Sequence, residues 1–186
     1  MVIRLKTLSK IIICLIFLGC IVLLVKGGFD WYQKTAYPRE YSQYVEKYSR
    51  EYQVDEDLIY AVIKTESGFD PKAVSVNDAK GLMQITKDTF DWISGKLGYK
   101  DKQHDDLFDP ETGIEYGTFF LSYLLNEFQE PEVALAAYHA GRGITNKWLQ
   151  DPEYSPDGRV LEKIPYQDTA HYVKKAMKHY EIYQKQ

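Results

Sequence analysis

Residues 55–68 read DEDLIYAVIKTESG, and this stretch predicts the helix around which the rest of the chain can be placed. Four aliphatic side chains in it fall on one face of a helix: Leu58, Ile59, Val62 and Ile63. Asp55 can cap the start of this helix, and Gly68 can end it. The next position on the apolar face holds Glu66. The pattern therefore predicts a helix that ends with a carboxylate at the rim of the core.

Glu66 is the first candidate for chemistry. Partial burial disfavours the charged form of a carboxyl group and raises its pKa. A carboxylic acid that stays protonated near neutral pH is what general-acid cleavage of a glycosidic bond requires. A glutamate in the last turn of a helix can also extend its carboxylate into water, and position alone does not separate the two interpretations.

Four stretches of sequence, in order along the chain, give Glu66 a context. They read ESGFDPKAVS at 66–75, AKGLMQI at 79–85, AAYHAG at 136–141 and EKIPYQDT at 162–169. The ordered set resembles the soluble lytic transglycosylase domain, a lysozyme-like family that cleaves the glycan strands of peptidoglycan. The resemblance covers about residues 40–183 and implies a mostly α-helical, lysozyme-like α+β fold with a minimal β-hairpin.

The same resemblance implies roles for particular residues. It implies that Glu66 is catalytic and that the hydroxyl of Tyr138 lies near it. The family usually has asparagine at the position of His139, so the contribution of the imidazole is open. The remaining residues implied to bind substrate are Ser75, Gly81, Met83, Gln84, Glu162 and Tyr166.

The reaction can be argued from the carboxylates. Hydrolytic glycosidases generally need two, whereas Asp70 and Asp78 lie in irregular sequence and Asp88 lies in a first helical turn. A single-carboxylate mechanism fits better, and the resemblance implies non-hydrolytic cleavage between N-acetylmuramic acid and N-acetylglucosamine, with a 1,6-anhydro product. A muramidase that uses water, with Glu162 as a candidate second carboxylate, is one alternative. A non-catalytic wall-binding module on a membrane tether is another.

We expect no cofactor and no metal, because the four histidines lack zinc-site spacing and have no cysteine partners. Residues 1–26 hold four of the 23 Lys and Arg and no acidic residue, which leaves 19 basic against 27 acidic residues and a formal charge of −8 beyond them. Such a surface argues against non-specific nucleic-acid binding. The expected partners are peptidoglycan strands and a membrane, and no protein partner can be identified.

An apolar run of 15 residues, 11–25, stands between Lys10 and Lys26. We interpret 1–10 as a basic cytoplasmic tail, 11–28 as a transmembrane signal-anchor, 29–37 as a linker and 38–186 as the catalytic domain outside the membrane. Cys14 and Cys20 are the two cysteines, and apolar, lipid-facing positions are expected for both. Lipidation at Cys20, or secretion after cleavage, is the alternative.

Other helices are predicted from their caps and stripes. A first amphipathic helix carries Tyr41 to Tyr52, Thr86 and Asp109 can cap two later ones, and Pro131 can open another that Gly141 ends. Asp168 is expected to cap the last helix, with four residues inward: Val173, Ala176, Met177 and Tyr180. Residues 69–86 read as an irregular loop or small hairpin.

Overall fold

The structure is a computed structural model that describes the backbone of residues 2–186 and the side chains of 8–13, 15–28 and 31–186. The chain divides into two compact units, Met1–Pro38 and Arg39–Gln186. Several predicted features of the N-terminus lie outside the described side chains: the charges of Arg4 and Lys6, the orientation of Cys14 and the apolar contribution of Phe29.

The first unit contains a single helix, α1, Val2–Ala36. Within it, Leu8–Ala36 is long and apolar enough to cross a membrane, and a signal sequence near an N-terminus has the same length and composition. Residues 29–36, predicted as part of a linker, are helical. Gly27 and Gly28 each lower helix stability by about 1 kcal/mol, which is too little to end so long a helix. The first proline of the chain, Pro38, comes only after the helix has ended.

Seven α-helices and one short 3-10 helix build the described second unit. Their bounds are α2 Ser42–Tyr52, α3 Glu56–Glu66, α4 Lys87–Leu97, the 3-10 helix His104–Phe108, α5 Pro110–Phe128, α6 Pro131–Ala140, α7 Arg142–Leu149 and α8 Gln167–Tyr183. The mostly helical, lysozyme-like architecture expected from the sequence is confirmed.

The predicted helix starts are confirmed at four positions, one of them Pro131, which begins α6 before Gly141 ends it. Asp55, Thr86 and Asp109 each accept a hydrogen bond from a backbone N–H two or three residues later, which satisfies a donor that a helix start leaves unpaired. Asp168 is different. α8 already begins at Gln167, so Asp168 lies in its first turn and accepts from the N–H of Thr169. α7 does not follow from the sequence patterns, which predict that Gly141 ends a helix and predict no new helix directly after it.

α3 is the central helix of the second unit. All six residues from Leu58 to Ile63 are at most 3% exposed, so the helix is buried on every face there rather than along one stripe. It packs mainly against α8 and also against α2, while α5 packs against α2 and α6. The two ends of α3 are less buried than its middle, and Glu66 is the last residue of its C-terminal turn.

Residues 67–86 form a folded loop between α3 and α4. The described loop contains isolated antiparallel bridges, Val74 with Lys80 and Lys80 with Ile85, so the expected hairpin is present in its smallest form. Gly81 has φ of 76°, and a Cβ there would lie 2.1 Å from the backbone oxygen of Leu107. Glycine is therefore required for this loop to pack against the 3-10 helix.

Candidate active site

Glu66 is held where the end of α3 meets the first half of α8. Its Oε1 accepts a hydrogen bond of 2.7 Å from the hydroxyl of Tyr172. One turn further along α8, Lys175 donates to the carbonyl oxygen of Thr65, which satisfies one of the backbone acceptors that a helix end leaves free. The carboxyl group of Glu66 is thus fixed at a helix terminus by side chains of a neighbouring helix.

Burial raises the pKa of Glu66 from 4.5 to about 7, against the opposing effects of the Tyr172 hydrogen bond and the charge of Lys175. Protonated and ionised forms are then both well populated at neutral pH. The residue as a whole is only partly buried, so the group is desolvated yet remains within reach of a ligand. The raised pKa expected from the sequence is confirmed.

Tyr138 lies near Glu66 but does not hydrogen-bond to it. Its hydroxyl donates to the backbone oxygen of Met83 at 2.8 Å, which ties the end of α6 to the 67–86 loop. Burial, together with the negative charge of Glu66, raises the pKa of Tyr138 well above 10. The phenol therefore stays protonated, and the Glu66 carboxylate disfavours its ionisation by electrostatic repulsion without a hydrogen bond between them.

His139 is exposed and stands over Tyr172. The centroids of the two rings are 4.5 Å apart at an interplanar angle of 31°. Nδ1 of His139 lies 3.0 Å from the hydroxyl of Thr169, one turn before Tyr172 on α8. Desolvation by the surrounding protein lowers the pKa of His139 below 6.5, although the negative charge of Asp168 opposes this, so the imidazole is mostly neutral at pH 7.

The loop residues expected at the site have structural contacts of their own. Ser75 Oγ accepts the N–H groups of Asn77 and Ala79 and so shapes a turn. Gln84 adopts a left-handed backbone with φ of 49°, and its Nε2 donates to two backbone carbonyls of the same loop. The side chain of Met83 is fully buried, because it fills the space that Gly117 leaves open on α5.

The contacts described for Glu162 and Tyr166 involve other residues than Glu66. Glu162 is exposed and lines a groove of about 550 Å³ with residues of α8, and that groove includes neither Glu66 nor Tyr172. The ring of Tyr166 is half exposed and packs edge-on against Trp148, with centroids 5.0 Å apart. None of the contacts described for Glu162 joins it to Glu66.

Tyr172 is a site residue that the sequence patterns do not predict. The predicted inward face of α8 ran through Val173, Ala176, Met177 and Tyr180. The buried face instead comprises Thr169, Tyr172, Val173, Ala176, His179 and Tyr183. Both sets have helical spacing, so the periodicity alone could not choose between them. The aromatic residues at 172 and 183 were the signal that favoured the second set.

The described residues contain no group of three His, Cys, Asp or Glu side chains that could hold a metal ion. Three of the four histidines have a described polar contact, each with a different group: His104 with the Ile85 carbonyl, His139 with Thr169, and His179 with Thr65. What the arrangement at Glu66 offers is a carboxyl group that exchanges a proton near neutral pH, flanked by two protonated phenols.

Comparison with known proteins gives consistent matches. The family model described as "Transglycosylase SLT domain" matches residues 43–158. A membrane-bound lytic murein transglycosylase C of Serratia proteamaculans is 40% identical over 117 residues, covering 56% of this chain and 32% of the relative. The soluble lytic murein transglycosylase of Salmonella typhimurium is 31% identical over 144 residues, covering 76% of this chain and 22% of the relative.

Solved structures match over most of the chain. The 70 kDa soluble lytic transglycosylase SLT70 of Escherichia coli is 28% identical with a TM-score of 0.75, covering 85% of this chain and 26% of that one. An inactive mutant of the lytic transglycosylase Slt of Pseudomonas aeruginosa is also 28% identical, with a TM-score of 0.73 over 82% of this chain and 25% of that one. The chain spans about a third or less of the length of these curated relatives.

Proposed function

This chain belongs to the transglycosylase SLT domain family, and we propose that it is a peptidoglycan lytic transglycosylase in which Glu66 is the single general acid and base. The environment of Glu66 supports this most directly. Its carboxyl group is desolvated, has a pKa of about 7 and is held by a phenol. A group that must both give and take a proton works best with a pKa near the working pH.

In the first half of the reaction, Glu66 is protonated. It donates its proton to the oxygen that links N-acetylmuramic acid to N-acetylglucosamine. The bond between that oxygen and the anomeric carbon of the muramic acid then breaks, and the oxygen leaves as the 4-hydroxyl of N-acetylglucosamine. The Tyr172 hydrogen bond stabilises the carboxylate that remains on Glu66.

In the second half, the Glu66 carboxylate removes the proton from the 6-hydroxyl of the same muramic acid. That oxygen bonds to the anomeric carbon and closes a 1,6-anhydro ring, so that no water is consumed and Glu66 is protonated again. A nucleophile on the same sugar has an effective concentration of about 10⁵ M or more when well oriented. This advantage removes the need for a carboxylate that activates water.

Two alternatives remain testable. A hydrolytic muramidase needs a second carboxylate roughly 5 to 9.5 Å from the first. The side chains that act on the pKa of Glu66 are a tyrosine and a lysine, and Glu162 lines a separate groove.

A non-catalytic wall-binding module would have no use for a desolvated carboxylic acid, which reduces the free energy of unfolding at neutral pH.

We place the glycan strand over the end of α3 and the end of α6. Tyr138 and His139 are the best supported contacts, because Tyr138 is close enough to Glu66 to be affected by its charge and the His139 ring packs on Tyr172. For Met83 and Gln84, backbone groups and the free amide oxygen are the available contacts, since the rest of each side chain is engaged. The remaining proposed substrate contacts are Ser75, Gly81, Glu162 and Tyr166.

The test is mass spectrometry of peptidoglycan digested with the purified full chain in detergent. Internal attack gives muropeptides lighter by about one water, ~18 Da, than muramidase products. Glu66→Gln should yield no product while still binding the glycan, and Glu46→Gln on the exposed face of α2 is the matched control. Full-mass reducing ends would establish hydrolysis. Binding without any product from the unchanged chain would establish the non-catalytic alternative.

The relatives named membrane-bound and the apolar helix α1 suggest membrane association. We place residues 1–10 in the cytoplasm, 11–28 across the membrane as an uncleaved anchor, 29–37 as a helical linker and 38–186 outside. Protease added to intact protoplasts should remove the catalytic domain, and digestion only after lysis would contradict this topology. Loss of membrane attachment in Cys20→Ser would favour a lipoprotein instead.

A further inference from the structure

We propose that Lys175 is a positioning residue for the reaction: its ammonium group fixes the last turn of α3 and favours the ionised form of Glu66 between the two proton transfers. Lys175 itself gives or takes no proton in either half of the reaction. The inference rests on the proposed function, and it names the residue that controls the upper pH limit of cleavage and makes this limit sensitive to salt.

Lys175 reaches α3 from the same side of α8 as the residue that holds Glu66. It follows Tyr172 by three positions, so the two side chains are neighbours on the helix surface. The Tyr172 hydroxyl donates to Glu66, and Nζ of Lys175 donates to the carbonyl oxygen of Thr65 at 3.1 Å. Two consecutive residues at the end of α3 are therefore each bound by one side chain of α8.

The end of α3 is an unfavourable place for the carboxylate that the reaction needs. The last carbonyl groups of a helix lack intrahelical partners and carry a partial negative charge. Glu66 is the last residue of α3, so its ionised form is disfavoured by the helix dipole as well as by burial. Lys175 brings a positive charge to this same helix end, where it opposes both effects.

The other titratable groups around Glu66 do not supply a positive charge at neutral pH. Tyr172 faces it from α8 and Tyr138 from α6, and burial raises the pKa of both phenols well above 10. His139 on α6 packs against Tyr172, and desolvation lowers the pKa of its imidazole below 6.5. Burial raises the pKa of Glu66, and Lys175 is the cation described as opposing that rise.

Two further lysines lie near the same end of α3. Burial, together with the charges of Lys175, Lys64 and Lys178, lowers the pKa of His179 to about 4. The imidazole is therefore uncharged in the neutral and alkaline range. Of these three lysines, only Lys175 is among the described effects on the pKa of Glu66. The role is thus assigned to one residue rather than to a general positive surface.

The exposure of Lys175 makes its effect dependent on ionic strength. Its side chain is exposed, and the Debye length falls from about 10 Å at 0.1 M salt to about 3 Å at 1 M. Screening weakens the attraction between the ammonium group and the Glu66 carboxylate, whereas the burial of Glu66 is unaffected. The pKa of Glu66 should therefore rise with salt in the unchanged chain and stay constant where the ammonium group is absent.

The experiment follows the alkaline decline of peptidoglycan cleavage by the full chain in detergent, at about 0.1 M and about 1 M sodium chloride. Lys175→Met should move the midpoint of this decline upward by about 0.2 to 0.7 pH unit, the value of an exposed ion pair, and should remove its dependence on salt. Lys175→Arg keeps the charge and the donor and should match the unchanged chain. Lys147→Met removes an exposed cation of α7 and is the control for net charge.

A titration of Glu66 itself separates this role from the proposed function. NMR of the isotopically labelled side-chain carboxyl carbon, assigned by its absence in Glu66→Gln, reports the pKa without turnover. The same shifts with Lys175→Met and with salt are expected. A pKa that salt leaves unmoved in the unchanged chain overturns the proposal, and this test needs no variant.

The variants add two outcomes that would also overturn it. One is a cleavage rate that Lys175→Met lowers equally at every pH, as a purely structural role would. The other is an equal shift of the midpoint in Lys147→Met. A salt-dependent titration of Glu66 in an unchanged chain that cleaves no peptidoglycan would refute the proposed function and leave the effect of Lys175 on Glu66 standing.

Discussion

Glu66→Gln should stabilise the domain at alkaline pH and leave its stability unchanged at acidic pH. The folded state raises the pKa of Glu66 from 4.5 to about 7, so it holds the proton more tightly than the unfolded chain does. Below pH 4.5 both states are protonated and the group contributes nothing. As pH rises from about 4.5 to 7, the unfolded state gains from ionisation first, and the free energy of unfolding falls.

The size of the effect follows from the same two pKa values. The rise from 4.5 to about 7 corresponds to about 3 kcal/mol of lost stability once Glu66 is fully ionised. Glutamine has the shape of glutamate and no charge, and its amide oxygen can still accept from Tyr172. For a domain of this size, about 3 kcal/mol shifts the unfolding midpoint by roughly 6 to 12 °C.

The assay is thermal unfolding of the full chain in detergent, followed by tryptophan fluorescence from about pH 4 to pH 9. The difference in midpoint between Glu66→Gln and the unchanged chain should be near zero at the acidic end and should grow to its full value above pH 7. Glu46→Gln removes an exposed carboxylate and should show no such growth. A constant difference across the pH range would refute the argument that Glu66 is desolvated.

Three further outcomes are expected. Cleavage of peptidoglycan should fall about tenfold per pH unit above roughly pH 7, because the acid form of Glu66 is lost; a rate that stays flat to pH 9 would count against this. Tyr172→Phe removes a hydrogen bond that lowers the pKa of Glu66, so this pKa should rise. The alkaline decline of the cleavage rate should then begin about one pH unit higher. An unmoved decline would show that the bond does not favour the ionised form. Gly117→Ala should lower the free energy of unfolding by about 1 to 3 kcal/mol in denaturant titration, since its Cβ would lie 2.3 Å from Sδ of Met83; an unchanged midpoint would mean that Met83 can move freely.

The helix starts could be predicted because their physics is local. A cap such as Asp55 or Thr86 binds a backbone N–H within three residues, so the sequence contains both partners. Aliphatic spacing likewise predicted that Glu66 ends a buried helix. Local rules failed at Asp168, because a helix capped there would begin at Thr169, whereas α8 begins two residues earlier, at Gln167.

The inward face of α8 shows a different limit. Two stripes of similar apolar character were available, and the choice between them depends on where α3 lies. The formation of α7 also depends on the tertiary structure, because this helix follows directly after Gly141 and buries Thr145 and Trp148 against the rest of the domain. Neither result follows from neighbours in sequence, because the stabilising contacts come from distant segments.

From its own residues, the chain specified a helical domain, a carboxyl group at the end of the central helix and an apolar N-terminal helix, because helical periodicity and capping act over a few residues. Tertiary structure alone brought Tyr172 to Glu66 and placed Glu162 in a groove that does not include Glu66. The residues of each arrangement are up to about a hundred positions apart. Side chains so far apart meet only when helices pack, and packing is decided by the burial of the whole apolar surface rather than by any local pattern.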